Sequence, residues 1–383
     1  MRYAKMKAVM PEGWAEQMKV NLEKKMRFAV GKAQGLPYIP YTTQDGEWAP
    51  TDICWWTNGF WGAELWQMFL MTGDTRYRDS AVCAERMMDG ALHNIRGFDH
   101  DAGFRWLIQS GVRHALEKNQ ESFDRTLLSA NLLAARFNPN GFIRAWNGEG
   151  REGWAIIDCM MNLPLLFWAS RQTGDPRFKL IAMRHADTAM KHFVRTDGSC
   201  NHIVCFDPLT GEALDTPGGQ GYASGSSWSR GQAWALYGFT LSFMMTGRRA
   251  YLDTAVRTAD YFIANVKPNF VPVCDFAAPK EPVVLDNAAG SIAACGLMEL
   301  ACCAPEEKRD AYLEAACRLL MAMEETCADW SEAQPAIFTK CTEAYHGRRH
   351  ITMNYADYFF IEAVNKLLGN DMLFWAPDMR LED

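Results

Sequence analysis

The sequence of 383 residues has no long apolar run, which argues against a membrane-spanning segment. No stretch approaches the ~20 apolar residues that a helix needs to cross a bilayer. The first twenty residues also lack an apolar core and a small-residue cleavage site, so we expect no signal peptide. With a formal net charge of −7 there is no basic excess, and we therefore expect neither nucleic acid nor a membrane as a partner.

The twelve cysteines form no CxxC pair, which argues against a zinc ribbon or a thiol redox motif. The stretch "CNHIVC", Cys200 to Cys205 with His202 between them, lacks a second ligand pair, so we expect no metal site there. The chain also has no GxGxxG after a predicted strand, no GxxxxGK[ST], no HExxH and no GxSxG. We therefore expect no cofactor, and a reducing cytoplasm fits the scattered thiols best.

Strand-like alternation is nearly absent, and helical periodicity dominates the chain. Three stretches repeat one pattern: an apolar helix, a turn reading TGD or TGR, and a second helix. The turn glycines Gly73, Gly174 and Gly247 predict left-handed helix ends. Asp74 and Asp175 then predict N-caps for the helices that follow.

A degenerate fourth copy and two further helical segments bring the total to roughly twelve helices in about six hairpins. Hairpin repeats build either an open solenoid or a closed ring. Solenoid repeats recur every ~34 to ~47 residues with little between them, whereas long polar loops separate these hairpins. Such loops are costly to order unless they build a site. We therefore predict an all-α toroid of six helical hairpins, in one domain spanning residues 1–383, with its loops on one face.

The chain has fourteen tryptophans, and half of them fall in the predicted loops. These are Trp55, Trp56, Trp61, Trp146, Trp154, Trp228 and Trp234. An indole in a polar loop offers a flat apolar face and one N–H donor, which suits a sugar ring. A single tryptophan is more often structural, but this concentration favours a carbohydrate-binding cleft.

Two aspartates are candidates for acid–base chemistry. Asp158 lies between apolar residues and an apolar helix, so we expect its carboxyl to be desolvated and its pKa raised toward the range of a proton donor. The alternative is an N-cap of the following helix. Asp101 lies in a glycine-bracketed turn, where a turn-capping role is the alternative. Paired acids in a cleft would indicate glycoside chemistry.

Arg230 occupies the predicted first turn of a helix, where the helix dipole disfavours a cation. Trp234 follows four residues later on the same helix face. One interpretation is a planar donor fork that binds a carboxylate on a sugar. The other is an ion pair with a buried aspartate.

Taken in order, the motifs resemble those of the unsaturated glucuronyl hydrolases, glycoside hydrolase family 88. The resemblance runs over most of the chain, through "WTNGFWGAELW", "HDAGF", "IIDCMMNLPLLFWAS", "NHIVCFDPLTGE", "SSWSRGQAWALYGF", "LDNAAGSIAACGLMEL" and "NYADYFFIEAV". The SxWxRGQAW element is highly specific. The family fold is an (α/α)6 barrel, which agrees with the hairpin count.

The resemblance implies a substrate that polysaccharide lyases leave, an oligosaccharide whose non-reducing uronate carries a C4=C5 double bond. It implies hydration of this vinyl ether in place of attack at the anomeric carbon. Asp158 matches the general acid that protonates C4 and helps to activate the water adding at C5. Asp101 matches the second essential carboxylate, which would hold the first in its protonated state and bind sugar hydroxyls. The positions that match the lining of the unsaturated-sugar subsite are Trp56, His100, His202, Gln220, Trp228, Arg230 and Trp234.

The chain departs from the family pattern before Arg230 and near its C-terminus. Many relatives read "HQGYSDDS" where this chain reads "GQGYASGS", so Gly219 replaces a histidine. In the C-terminal loop, Lys340, Arg348 and Arg349 suggest either a sulfate contact or a solvated surface. Substrate preference does not follow from these residues.

Three alternatives stay open beside the glucuronyl hydrolase. An unsaturated rhamnogalacturonyl hydrolase would act on rhamnose-linked substrates. A sugar 2-epimerase would need a histidine acid–base pair, for which only His100 and His202 are placed. A non-catalytic relative would bind unsaturated uronyl oligosaccharides without turnover. We expect that oligosaccharide as the only partner, with the protein a monomer or a weak homo-oligomer.

Overall fold

The structure is a computed structural model, and it describes residues 3–370 and 372–379. Its α-helices are α1 (Ala4–Val9), α2 (Trp14–Ala33), α3 (Asn58–Thr72), α4 (Thr75–Met87), α5 (Asp89–Leu92), α6 (Val112–Glu117), α7 (Gln120–Ala134), α8 (Leu163–Thr173), α9 (Pro176–His192), α10 (Ser229–Thr246), α11 (Arg249–Val266), α12 (Asn287–Cys303), α13 (Glu306–Cys327) and α14 (Asn354–Leu367). A π-helix spans Gly103–Gly111 and runs into α6, and a 3-10 helix spans Ile157–Met161. In the described residues, no helix combines the length and the apolar character of a membrane span.

The helices form two concentric layers that alternate along the chain. The inner layer is a closed ring in which α3 packs on the π-helix, then α8, α10, α12 and α14 follow, and α14 returns to α3. The outer helices α4, α7, α9, α11 and α13 pack on the inner helices beside them, and α2 lies against α3 and α14. This arrangement confirms the predicted all-α (α/α)6 barrel.

Burial explains which helices lie inside. The inner helices are apolar or small on every side, and α12 is buried continuously from Asn287 to Ala301. An outer helix such as α11 instead has one buried stripe and one solvated face. A helix without a polar face must be enclosed, whereas an amphipathic helix can cover it.

The predicted turns between paired helices are confirmed. Gly73, Gly174 and Gly247 all adopt left-handed conformations, with φ between 70° and 73°. The carboxylates of Asp74 and Asp175 accept hydrogen bonds from backbone N–H groups two residues later, as N-caps do. These features depend only on local sequence, which is why they were predictable.

Short strands also occur, although the sequence showed almost no alternation. They are β1 (Thr43–Gln44), β2 (Glu47–Trp48), β3 (Phe137–Asn138), β4 (Phe142–Ile143), β5 (Trp154–Ile156), β6 (Ile203–Phe206) and β7 (Ala213–Asp215). The strands β5, β6 and β7 form one antiparallel sheet in which Trp154 pairs with Cys205 and Ile156 with Ile203. Strands this short are too brief to show a period.

The placement of three tryptophans in loops was wrong. Trp61 lies in α3, Trp234 in α10 and Trp154 in β5. The physical reason is that inner helices begin as soon as the site loops end, so polar loop sequence continues into the first helical turns. Neither Ser226 nor Ser227 caps α10, which begins after Trp228 with no side-chain cap.

The N-termini of the inner helices meet at one end of the barrel. Contacts between residues at these starts establish this: Asn162 before α8 bonds to Asp101 before the π-helix, and Arg230 in α10 pairs with Asp286 before α12. Positive helix-dipole ends therefore converge on this end, which favours a bound anion.

Candidate active site

Asp158 lies in the 3-10 helix just before α8 and is almost fully buried, with 6% of its surface exposed. Burial raises the pKa of its carboxyl to about 7, against the opposing effects of the Arg230 charge and the nearby Trp234 indole. Its Oδ2 has no hydrogen-bond partner among the described residues. The N-cap alternative was wrong, because Asn162 holds the cap position of α8.

His202 faces the Asp158 carboxyl from the end of the loop before β6. Its Nε2 lies 3.6 Å from Oδ2 of Asp158. Its Nδ1 accepts a hydrogen bond of 2.9 Å from the backbone N–H of Gln220, so the neutral ring carries its proton on Nε2, toward the aspartate. Burial lowers the pKa of His202 to about 3, which keeps the ring neutral.

Asp101 lies at the start of the π-helix, and Asn162 joins it to Asp158. The Asn162 side-chain amide donates to Oδ1 of Asp101 at 3.2 Å and to the backbone oxygen of Asp158 at 3.3 Å. Its Oδ1 accepts from the N–H of Phe104, which fixes which end of the amide faces the acids. The turn-capping alternative for Asp101 was wrong, because Asp99 accepts the bond that closes that turn.

The charge of Asp158 also acts on the Asp101 carboxyl. Burial raises the pKa of Asp101 well above its ordinary value, and the charges of Asp99 and Asp158 raise it further. His100 is buried beside it, with Nε2 at 3.4 Å from Oδ1 of Asp101. Burial lowers the pKa of His100 well below its ordinary value. Near neutrality His100 and His202 are therefore neutral rings without the second, acidic proton of an imidazolium, which disfavours a histidine-based epimerase.

Gly103 allows the two acid-bearing segments to touch. A Cβ at this position would meet the backbone of Asn162 at 2.8 Å and its Oδ1 at 3.0 Å. Any side chain here would therefore push Asn162 away from Asp101. The glycine of "HDAGF" serves this close approach, beside a π-helix of a kind that often marks functional sites.

Arg230 forms the ion pair that was one of its two interpretations. Its Nη1 lies 3.0 Å from Oδ2 of Asp286, and its two terminal nitrogens also donate to the carbonyls of Thr342 and Glu343. Asp286 at the start of α12 is favoured by that helix's dipole and offsets the unfavourable placement of Arg230. The Nε of Arg230 has no hydrogen-bond partner among the described residues.

The tryptophans predicted to line the site are brought together around Arg230. Its guanidinium lies 4.7 Å over the Trp228 ring and 5.5 Å over Tyr355. Trp56 packs against Tyr355 at 5.0 Å between ring centroids, and Trp228 packs on His202 at 4.4 Å. Trp234, in the same helix as Arg230, is fully buried. Of these indoles, the half-buried Trp56 has the most exposed face.

The side-chain amide of Gln220 is engaged in a hydrogen bond to another loop. Its Nε2 donates to the carbonyl of Glu343 at 2.6 Å, and its backbone carbonyl accepts from the N–H of Tyr345. The loop that carries Gln220 is thus fastened to the C-terminal loop. Gln220 contributes to the site through its backbone N–H on His202.

The basic residues of the C-terminal loop are engaged within the loop and its surroundings. Arg348 pairs with Glu343 at 2.6 Å, and Lys340 donates to the carbonyl of Thr326 at 2.7 Å. Arg349 donates to the carbonyl of Tyr345 and lies 4.7 Å over that ring. These contacts favour the surface interpretation over a sulfate contact.

The altered loop before Arg230 keeps its shape through other contacts. Gly219 has φ of 59°, and a Cβ there would collide with Nδ1 of His202. The Asp275 carboxylate holds the rest of the loop by accepting from the N–H of Tyr222 and the hydroxyl of Ser226. A histidine at position 219 would therefore require a different loop conformation and a different partner for His202.

No group of three or more His, Cys, Asp or Glu side chains within residues 3–370 and 372–379 is arranged to hold a metal ion. The cysteines of "CNHIVC" are free thiols. His202, between them, faces Asp158.

Sequence reasoning missed three residues of this site. Asn162 joins the two acids, Asp286 balances Arg230, and Tyr355 supplies an aromatic wall. The spacing of Asn162, one helical turn after Asp158, was a signal that could have identified it. The other two act across more than fifty residues of sequence, and no local pattern reports such contacts.

Comparisons with known proteins agree with this geometry. A family model described as Glycosyl Hydrolase Family 88 matches residues 31–267. The unsaturated glucuronyl hydrolase of Bacillus sp. (strain GL1) is 35% identical over 332 residues, covering 84% of this chain and 88% of that protein. The unsaturated chondroitin disaccharide hydrolase of Streptococcus pyogenes serotype M1 is 30% identical, covering 87% of this chain and 86% of that protein.

Solved structures show the same fold. The crystal structure of the Bacillus sp. GL1 enzyme aligns with a TM-score of 0.88 at 31% identity, covering 95% of this chain and all of that one. An unsaturated glucuronyl hydrolase specific for heparin aligns with a TM-score of 0.85 at 28% identity, covering 93% of this chain and 97% of the other.

Proposed function

Because this chain belongs to glycoside hydrolase family 88, we propose that it releases 4,5-unsaturated uronic acid from the non-reducing end of lyase-generated oligosaccharides. One observation carries the proposal: Asp158 is a buried carboxyl whose pKa is raised to about 7. A carboxyl of that pKa retains its proton near neutrality and is still acidic enough to donate it.

We assign Asp158 as the acid that protonates C4 of the unsaturated sugar. The electron pair of the C4=C5 bond takes the proton, and the ring oxygen stabilises the cation at C5. Water adds at C5 and returns a proton to Asp158, which restores the acid. The C5–O5 bond of the resulting hemiketal then breaks, and the hemiacetal left at C1 expels the next sugar.

Asp101 acts on the substrate as a neutral hydrogen-bonding group. Burial and the neighbouring charges of Asp99 and Asp158 raise its pKa, which favours its neutral form. The sequence-based expectation was that Asp101 keeps Asp158 protonated and binds sugar hydroxyls. Desolvation is the largest cause of the raised pKa at Asp158, so the role that we assign to Asp101, together with His100, is to position sugar hydroxyls.

The substrate carboxylate is received by the convergent helix starts, and the sugar ring packs on aromatic faces. Asp286 balances the Arg230 charge, so the helix N-termini supply much of the attraction for the anion. His202 offers its Nε2–H beside Asp158, and Trp56 offers an exposed indole face. Trp228 and Trp234 keep the site dry, and Gln220 holds His202 in the required tautomer.

We further propose that the chain acts as a single catalytic domain without a metal or an organic cofactor. It needs no nucleic acid or membrane partner and works in the cytoplasm as a monomer or weak homo-oligomer. The hydration uses only a proton and water, which the buried acid and the solvent supply.

The activity is tested by following the ultraviolet absorbance of the double bond. The panel is unsaturated disaccharides of hyaluronan, chondroitin, heparin and rhamnose-linked type. We expect the wild type to remove the absorbance of at least one of the uronyl-hexosamine members. If it leaves all of them unchanged while calorimetry shows that they bind, the protein is an oligosaccharide binder and the proposal fails. Preference for the rhamnose-linked member would instead identify the sibling activity.

A further inference from the structure

A cavity of about 470 Å³ lies beside the candidate active site, outside the residues assigned above. Its lining is Arg96, Gly97, Asp99, Trp146, Asn147, Arg151 and Trp154. The Trp146 and Trp154 rings stand 6.1 Å apart at an angle of 56°, and the Arg151 guanidinium lies 5.4 Å over Trp154 and 5.8 Å over Trp146. Two indoles and two guanidiniums on one cavity combine a sugar-stacking surface with anion donors.

The two arginines of this cavity have no anionic partner. Among the described residues, neither the Arg96 nor the Arg151 guanidinium has an ion pair or a hydrogen bond. Of the nearby acids, Asp99 is paired with Arg105, and Glu152 lies 3.7 Å from Arg144. Glu149 does not line the cavity. The cavity therefore presents positive charge in a protein whose net charge is −7.

Hydrogen bonds hold the backbone around the cavity in place, although the guanidinium ends of its two arginines are exposed. The Asn147 amide donates to the carbonyls of Arg96 and Phe98 at 3.0 and 2.7 Å. Arg136 donates to Oδ1 of Asn147 and to the carbonyl of Phe98. These bonds tie the loop that carries Arg96 to the loop that carries Trp146.

The cavity continues outward from the two acids. Asp99 accepts from the N–H of Asp101, and Trp154 begins β5, which leads into the segment of Asp158. Four residues of extended chain span at most about 14 Å, so the Cα atoms of Trp154 and Asp158 lie no farther apart than that. Burial falls along this path from the acids to the half-buried indoles and then to the exposed arginines. A saccharide with its unsaturated end at Asp158 would extend its leaving part this way.

We propose that this cavity is an aglycone subsite that binds an anionic substituent, a sulfate ester or a carboxylate, on the saccharide that leaves. Arg96 and Arg151 bind the anion, and Trp146 and Trp154 pack on the sugar that carries it. The inference rests on the proposed function. It places the anion here and not on the C-terminal loop, where Arg348 already has a carboxylate partner.

The test compares three unsaturated disaccharides whose second sugar is neutral, sulfated or carboxylated. The variant is the double substitution Arg96→Gln and Arg151→Gln, and Arg348→Gln is the matched control. For the anionic substrate that the subsite recognises, we expect KM to rise roughly tenfold in the double variant with kcat unchanged. KM for the neutral substrate, and all constants of the control, should change less than twofold. The arm that responds, sulfated or carboxylated, identifies the anion.

Two results would overturn the subsite. One is an equal rise in KM for the neutral and both anionic substrates, which indicates structural damage. The other is no change for any of them. If the wild type turns over none of the three, calorimetry with the same saccharides decides separately. If the double variant, but not the control, binds an anionic saccharide more weakly than the wild type does, the subsite is supported and the proposed activity is refuted.

Discussion

The floor of the site buries its charged groups, whereas the rim exposes them. At the floor, Asp101, Asp158 and His202 lie away from water. Burial raises the pKa of the two aspartates and lowers that of the histidine, which favours the neutral form of each. At the rim, Arg96, Arg151 and Arg348 remain exposed, and they differ in whether a carboxylate neutralises them. Desolvation therefore marks the groups suited to proton transfer, and a missing partner marks those suited to binding.

The largest effect should follow from removing the acid at the floor. We expect Asp158→Asn to lower kcat roughly 10²- to 10⁴-fold, since the amide cannot donate a proton as a carboxylic acid does. The measurement is steady-state loss of double-bond absorbance. The matched control is Asp175→Asn, because asparagine caps a helix as well as aspartate does. Equal activity losses in both variants would contradict the assignment.

The raised pKa at the floor predicts a pH dependence with a defined sign. Asp158 must be protonated to act, so kcat should fall about tenfold per pH unit above pH 7. The same shift contributes a loss of stability as pH rises from about 4 to about 7, because the folded carboxyl holds its proton to higher pH than the unfolded one does. The rise in the pKa of Asp158 from 3.8 to about 7 corresponds to a loss of about 4 kcal/mol in the free energy of unfolding.

Urea unfolding at pH 5 and pH 8 measures this second effect. Asp158→Asn should gain stability over the wild type at pH 8 and gain less at pH 5, since the amide has no charged form to desolvate. If the residual activity of Asp158→Asn shows the same fall in kcat above pH 7, a group other than Asp158 causes that fall.

A smaller effect should follow from releasing the link between the two acids. Asn162→Ala removes the amide that joins Asp101 to the Asp158 segment, and we expect kcat to fall roughly tenfold with little change in KM. Asn365→Ala, at a buried asparagine that bonds to the carbonyl of Gln67, is the control for a lost buried amide. If KM and not kcat changes, Asn162 binds substrate and does not position the acids.

The smallest effect should follow from replacing Arg348, the exposed arginine whose charge Glu343 neutralises. Arg348→Gln breaks an exposed ion pair with Glu343, a contact worth about 0–1 kcal/mol at most sites. We expect kcat and KM to stay within twofold for neutral and sulfated substrates alike, measured at low and at physiological salt. A rise in KM confined to sulfated substrates would place the anion on the C-terminal loop.

The parts that the sequence predicted correctly are those fixed by local chemistry. Gly73 and Asp74 end one helix and begin the next through contacts within a few residues. The desolvation of Asp158 followed from its apolar neighbours. The ion pair of Arg230 with Asp286, the facing of His202 onto Asp158 and the pairing of β5 with β6 join residues more than forty positions apart. Only the closed ring of helices brings those residues together.

The most direct test of the central claim is the reaction of an unsaturated uronyl disaccharide in D₂O, followed by NMR at early times. Preformed product incubated alone corrects for exchange beside the new ketone. The account predicts one deuterium at C4 of the released keto acid in the wild type and no detectable product from Asp158→Asn over the same interval. Release of the second sugar with the C4=C5 bond intact and no deuterium at C4 would contradict it.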